Sequence, residues 1–494
     1  MRNMKKAKPG TKVRDQLSKL TFMLQKQESL IIGIYSLLLL TVILKLTWVA
    51  ILLTPIFLFS VITKDKVQLA FYLGVFSLSF DQIFISVGFS LKIHMLVFLV
   101  VALALIYQSF KQRKFPPLLP QTIVVSLFFL LVFSITSLFP AQDKTLTVRF
   151  VASLFYAVSV FYMTFVFLRN RQQVVNTVSA LIAGMVISVV VGVEQYIAYY
   201  YNLPFYGGFG IFNPGNFVRP AGLFDHPNFL ANFLLVAIPL TIGYTFWIKG
   251  KTLLKKVLVS VSLVSLIITF SRAAYIGMTL FLAVVFFFTK GTKQVLAWAK
   301  YLGAVLAFTV VGLSSLFYLV GPYSLVDTLA NFSRGGGGSR IFLNRVTSSA
   351  DPFAETNAER LLIWRAGLSM FNDNWLLGVG LENFRVRYAE YKLPDAVLRK
   401  NVVAHNTYFQ LLIETGIFGA VAFAAFWITV FFKNFKGILK ATSNSFYYYL
   451  LLGGMSALLG VTFQNLTNSV LYYPHTWFLY GFILAVSALA LRKR

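Results

Sequence analysis

The sequence predicts an all-α, polytopic integral membrane protein of about 12–14 transmembrane helices with one large, partly helical outer loop. Three observations carry this. The chain is 58% hydrophobic and 12% charged, with mean hydropathy +0.74 over 494 residues, far too apolar for a water-soluble fold. The apolar residues fall in long blocks without strict alternation, which suits helices and not barrel strands. Positive charge is concentrated in alternate connections between those blocks.

In order, the blocks lie near 29–44, 46–62, 68–88, 93–109, 121–139, 150–168, 174–200, 228–248, 253–270, 273–289, 301–320, 406–431, 446–468 and 474–491. Residues 1–28 are basic and polar without a small-residue cleavage site and read as a cytoplasmic tail. Residues 29–494 read as one integral membrane domain, with 321–404 a large outer loop inside it. The absence of cysteine excludes disulfides, thiolate metal sites and cysteine nucleophiles. SRGGGGSR at 333–340 reads as a flexible linker.

The net charge of +28 could suggest nucleic acid, but its distribution argues against that partner. Alternating sides from a cytoplasmic N-terminus places 28 of the 44 Lys and Arg inside and six in short outer connections, with ten in the long loop beside eight of the sixteen acids. The excess is therefore topological. Both termini are expected in the cytoplasm, and residues 201–227, 270–273, 321–404 and 465–475 are expected to face outward.

The polar residues that could do chemistry collect on that outer face. In RPAGLFDHPNFLANFL, Asp225 suits an N-cap and Pro227 the first helical turn, with Arg219 six residues ahead, a combination fit for an anion. His226 reads as a capping or interfacial histidine. Arg272, in FSRAAYIGM, lies between two apolar blocks with no countercharge nearby in sequence, which makes it a functional-site candidate. AERLLIWRAGLSMFND at 358–373 is a mostly apolar helix carrying Arg360 and Arg365, suited to the interface or to covering a cleft. Gly378 and Gly380 then break the helix and bring the chain toward AHNTYFQLLIETGIFG at 404–419. There His405 stands at a helix N-terminus, whose dipole favours the neutral imidazole a general base requires. Asn406 is a candidate to orient it or to bind a sugar hydroxyl. Glu414, about 13 Å further along the helix, is too deep to be its partner.

Arg219 with the following G-x-x-x-H-P-N, the Ser-Arg at 271–272, R-x-x-x-W-R-A at 360–366, N-x-W-L-L-G-V-G-x-x-N-F at 374–384 and A-H-N-T-Y-x-Q-x-x-x-E-x-G at 404–416 together resemble, in this order, the O-antigen ligase and Wzy-type polymerase superfamily. The resemblance covers roughly 205–470. It implies a bacterial inner-membrane glycosyltransferase that moves a glycan from undecaprenyl diphosphate to an acceptor on the outer face, without metal or other cofactor. By that analogy Arg219 and Arg272 hold the diphosphate and His405 deprotonates the acceptor hydroxyl for inverting attack. Asn406, Arg360 and Arg365 complete the expected substrate-binding set. Membrane lipids, the lipid-linked donor and an acceptor are the implied partners; the acceptor could be lipid A core, a second glycan (a polymerase) or a protein (an O-oligosaccharyltransferase).

The chemistry of the residues agrees. A diphosphate leaving group needs cations and an incoming hydroxyl needs a base. The sequence has no D-x-D motif for a metal-bound nucleotide sugar, and its four histidines are dispersed. A lipid-linked glycan transporter is the reading from another class. It would place ionisable residues near midplane on several helices, whereas only Asp81, Glu194 and Glu414 lie inside or near the ends of blocks.

Overall fold

The computed structural model describes residues 10–492 apart from 88, 202, 204–217, 249, 251, 321–354 and 398–401. The linker at 333–340 and the first part of the long loop thus lie outside the described residues. Each of the fourteen apolar blocks overlaps a helix, the block at 68–88 only in its first half. Among the described residues nine helices are long and apolar enough to cross a membrane. The chain divides into two units, Met1–Pro116 and Pro117–Arg494.

The first unit holds α1 (Gly10–Ile43), α2 (Thr47–Thr63), α3 (Val67–Ser77) and α4 (Ile93–Gln112). Helix α1 begins well inside the basic tail, and its membrane-length part is Gln25–Ile43. Lys45 and Asp65, both in the left-handed region, turn the chain after α1 and α2. The block at 68–88 is not one helix. It ends at Ser77 and gives way to a short antiparallel hairpin, β1 (Phe84–Ser86) and β2 (Ser90–Lys92). The polar tie at its base explains the exit: buried Asp81 accepts a hydrogen bond from Lys92 Nζ at 2.5 Å and lies 3.7 Å from His94 Nε2. Burial alone would raise the Asp81 carboxyl, but the Lys92 ammonium and the neighbouring His94 imidazole hold it well below the usual carboxylate range.

The second unit contains α5 (Gln121–Thr136), α6 (Lys144–Phe167), α7 (Arg171–Tyr200), α8 (Pro227–Trp247), α9 (Thr252–Ile268), α10 (Arg272–Phe288), α11 (Thr292–Val320), α12 (Glu355–Asp373), α13 (Phe384–Tyr391), α14 (Thr407–Lys440), α15 (Phe446–Asn465) and α16 (Pro474–Arg492). Helices α8, α15 and α16 are buried on nearly every face and form the centre, with α6, α10 and α14 packed around them. Apolar side chains gain little by leaving lipid for other apolar side chains, so close backbone approach supplies the packing. A Cβ on Gly277 of α10 would stand 2.9 Å from the Gly460 carbonyl oxygen of α15, so only glycine fits that crossing.

Helix α14 is broken at Gly416, where φ is +70° and ψ −176°. The segment between α12 and α13 fills the break. Val379 N–H donates to Ile413 O and Gly380 N–H to Glu414 O, each at 3.0 Å, and Ile417 N–H donates to Trp375 O at 2.9 Å. Carbonyls that lose their helical donors at the break are thereby satisfied, as a buried backbone requires. Gly378 and Gly380 also have positive φ, and a Cβ on Gly378 would collide with the Glu414 backbone. The glycines expected only to turn the loop therefore dock it onto the head of α14. Asn383 fastens the other side: its Oδ1 accepts from Asp143 N–H at 2.7 Å and its Nδ2 donates to Thr147 Oγ1 at 2.7 Å.

Candidate active site

Helix α12 positions one wall of the site. Its Ile363, Ala366 and Met370 are buried with Val379, Phe384, Tyr388, Ala404 and Ile413, so the helix lies on the loop and on the head of α14. Trp364 Nε1 donates to Ala404 O at 2.8 Å, pinning α12 to the residue before His405. Arg360 is four residues before Trp364 and shares its helix face. Leu361, Arg365 and Leu368 point to the exposed side.

His405 precedes α14 and adopts the left-handed conformation, φ +50°, costing about 1–2 kcal/mol in a non-glycine residue. Surrounding bonds fix it there. Asn406 caps the helix, its Oδ1 accepting from Tyr408 N–H at 3.1 Å and Phe409 N–H at 3.0 Å. Thr407 Oγ1 donates to Asn468 O at 2.6 Å and accepts from Val470 N–H at 3.0 Å. The oxygen of Asn406 is thus spent on the cap, and a role toward substrate falls to its Nδ2. Glu414 lies buried two turns below and accepts from Gln410 Nε2 at 2.8 Å.

The opposite wall is the turn before α8. Arg219 is 7% exposed; its Nε donates to Thr269 O at 2.7 Å and an Nη to Asn228 Oδ1 at 2.8 Å, so one guanidinium joins this turn to the corner between α9 and α10. Gln195 of α7 braces the turn, accepting from Gly222 N–H and donating to Gly222 O, each at 2.9 Å. Gly222 has φ +58°, and a Cβ there would lie 2.7 Å from Ser188 O. The cap of α8 is His226, whose Nδ1 accepts from Asn228 N–H at 3.0 Å; Asp225, expected in that role, is exposed. Pro227 opens the helix as expected. Arg272, half-buried, is the first residue of α10; Ser271 stands at its N-cap position without a side-chain cap, just after Phe270 in the left-handed region.

Electrostatics joins these groups into one cluster. Burial first and the Arg360 guanidinium second push His405 down to about 4. His226 is also pushed down to about 4, by burial, then Arg219, then His405. Arg360 is itself lowered by burial and by Arg272. Arg219, His226, His405, Arg360 and Arg272 therefore lie close enough to repel one another's protons. The helix dipole was the expected cause of a neutral His405; burial and Arg360 are the causes resolved. Arg365 is exposed on α12, on the solvent side of this group.

Beneath the cations lies an amide network absent from the sequence reading. Asn228 Nδ2 donates to Asn468 Oδ1 at 2.9 Å, Gln464 Nε2 to Asn228 O at 2.8 Å, and Asn232 Nδ2 to Gln464 Oε1 at 3.0 Å. His475 Nε2 meets Asn232 Oδ1 at 2.9 Å. Three helices, α8, α15 and α16, are tied at one end by these bonds, and Asn468, in the turn after α15, also meets Thr407 at the head of α14. Polar residues inside apolar spans are the signal that could have found them. Among the described residues no three His, Asp or Glu side chains converge as a metal site.

Such an arrangement can bind an anion among guanidinium groups and offer a neutral imidazole beside it. Comparison with known proteins gives one family match. Residues 235–424 match the family model described as O-antigen ligase, a stretch that contains Arg272, Arg360, Arg365, His405, Asn406 and the interlocked glycines, and leaves Arg219 and His226 outside. No curated protein matches the chain. Residues 235–424, from within α8 to the middle of α14, are thus similar to the O-antigen ligase family, and the chain that carries them is a polytopic membrane protein.

Proposed function

We propose that this site transfers a glycan from undecaprenyl diphosphate to an acceptor hydroxyl on the outer face of the bacterial inner membrane, in the manner of an O-antigen ligase. The observation that carries the reading is the convergence of a neutral, half-buried His405 with Arg219, Arg272 and Arg360 from separate segments of the chain. The O-antigen ligase family match supports glycosyl transfer in general; the donor, acceptor and stereochemistry are our assignment.

In the reaction, His405 takes the proton of the acceptor hydroxyl as its oxygen attacks the anomeric carbon. The bond from that carbon to the diphosphate oxygen breaks, and the electron pair leaves with the diphosphate. Attack opposite the leaving group inverts the anomeric centre. Arg272 and Arg360 stabilise the charge that builds on the diphosphate, because a guanidinium grips two oxygens at once and gains strength where water is excluded. Arg219, largely committed to the wall, holds the turn and adds positive potential. Asn406 Nδ2 and the exposed Arg365 reach the glycan portions of the substrates. No step of this scheme requires a metal ion.

Reconstitution with an undecaprenyl-diphosphate glycan and three acceptors, lipid A core, a second lipid-linked glycan and a pilin-like protein, tests the reading. Transfer to lipid A core is the expected result. Elongation of the lipid-linked glycan alone would make the protein a polymerase, and transfer to the protein alone an O-oligosaccharyltransferase. No transfer to any of the three, with glycan instead crossing the bilayer unchanged, would leave the transporter reading standing.

A further inference from the structure

At the end of the second unit remote from His405, four segments of chain meet with no acid among them. Their described residues, 168–176, 244–248, 250, 252–256, 430–447 and 486–492, carry eight Lys and Arg and neither Asp nor Glu. A charge excess of that size takes its counter-ions from outside the chain. One cation there is held differently from the rest. The Arg171 guanidinium, at the start of α7, sits 4.2 Å from the centroid of the Trp247 ring and 5.3 Å from that of Phe446, and the two rings pack edge to face at 5.0 Å. Among the described residues Arg171 has no carboxylate partner. Stacking fixes the plane of a guanidinium while leaving its edge donors to a ligand.

Those donors border a cavity of about 180 Å³. Its other lining includes Thr442, Ser445 and Tyr447. Ser445 caps α15, its Oγ accepting from Tyr448 N–H at 3.2 Å, so the hydroxyl proton and the first N–H groups of a 20-residue helix open on the same space. Nearby, Arg169 is lowered by burial and by Arg492, a sign of further uncompensated positive charge.

We infer that this cavity binds the phosphate of an anionic phospholipid headgroup in the leaflet at that end of the protein. The reasons for a lipid source are the position and the lining. Helix ends meet here at the margin of the apolar region, aromatic rings of the kind found at membrane interfaces form the wall, and basic residues at that level attract anionic lipids. A bound headgroup bridges α7, α8, α15 and the connection after α14, and fixes the far end of the helix that carries Gln464 to the active site.

The full chain is placed in lipid discs of phosphatidylcholine alone or with phosphatidylglycerol, and retained lipid is counted by native mass spectrometry beside the thermal midpoint. The expected result is selective retention of phosphatidylglycerol with a higher midpoint. Arg171→Ala should lower that retention about fivefold, the equivalent of one basic contact near a membrane surface. Arg171→Lys, which keeps the charge and loses the planar fork, should fall between, and guards against a misfolded alanine variant. Equal retention by wild type and Arg171→Ala, or no preference for phosphatidylglycerol over phosphatidylcholine, would overturn the site. Inorganic phosphate reproducing the stabilisation in phosphatidylcholine discs would overturn the lipid source and assign the cavity to a soluble anion.

Discussion

The two ends of α14 are both rich in cations, and they are built in opposite ways. At the far end Lys433, Lys436 and Lys440 project among other cations and no acids, on side chains that are mostly exposed. At the near end Arg219, Arg272 and Arg360 are withdrawn into the protein beside His405, braced by carbonyls, amides and a tryptophan, and lower one another's or a histidine's proton affinity. Positive charge left in water orients a protein in a bilayer at little cost. Positive charge that is buried and crowded raises the free energy of the empty site, and an incoming anion relieves it. On the proposed function, the difference separates charge used for topology from charge poised for a ligand.

The strongest way to break that contrast is at His405. His405→Ala should lower glycan transfer by about 10²- to 10⁴-fold while leaving membrane insertion unchanged, the range for loss of a general base. The sign of its pH dependence follows from burial and Arg360, which lower the proton affinity. The free site stays neutral and competent as pH falls through 6.5, and kcat/KM should lose its acid limb only near pH 4. Stability follows the same sign. The unfolded chain takes up a proton below 6.5 that the folded chain refuses until about 4, so stability falls as pH is lowered through that window. Arg360→Gln removes the like charge and should move the acid limb upward, toward the ordinary histidine value. An acid limb that stays in place in this variant would show that Arg360 does not face the base.

Arg272 sharpens the contrast from the side of the leaving group. Arg272→Ala should cost about 10²- to 10³-fold in kcat, comparable to removing one preorganised donor to a developing charge. Arg272→Lys should recover only part of it, since an ammonium cannot grip two phosphate oxygens. Full recovery would reduce the residue to a source of potential.

How this end is built was only partly legible in the sequence. The all-α, membrane-spanning character could be read because hydrocarbon imposes a long apolar block on every spanning helix, and each of the fourteen blocks overlaps a helix, nine of which, among the described residues, are long and apolar enough to cross. The block at 68–88 misled because apolar residues also line the hairpin that follows Ser77. Arg272 and His405 stood out as polar residues at the edges of apolar runs. The bracing did not stand out. Gln195, Asn228 and Gln464 look like ordinary amides until α7, α8 and α15 are brought together, and pairings 27 to 240 residues apart leave no local pattern. Of the lock between Gly378, Gly380 and Gly416, the sequence showed only a helix break that brings the chain toward His405. Its purpose, satisfying carbonyls freed by a broken helix, needs both partners in view.

That lock gives a prediction smaller than those at the reacting groups. Gly416→Ala places a Cβ against Leu376 O at a positive φ and should destabilise the head of α14 by about 2–3 kcal/mol. It should lower the thermal midpoint and kcat together, because His405 rides on that head. A variant with normal stability and normal turnover would mean that the break in α14 does not set the position of the base. Asn228→Ala, which deprives the Arg219 guanidinium of one acceptor, should cost about 1.5–3 kcal/mol in kcat/KM.

The smallest effect is expected at Arg365, and it tests the boundary of the cluster. Arg360 and Arg365 lie on one helix only five residues apart, yet Arg360 is half-buried beside His405 and Arg365 is exposed. A guanidinium in water is screened and binds a passing glycan equally before and during reaction. Arg365→Ala should therefore raise KM for the acceptor a few-fold, about 0.5–1 kcal/mol, with kcat unchanged. A fall in kcat instead would mean that α12 turns this face toward the substrate during turnover. The separation between solvent-facing and ligand-facing charge would then hold for the resting site alone.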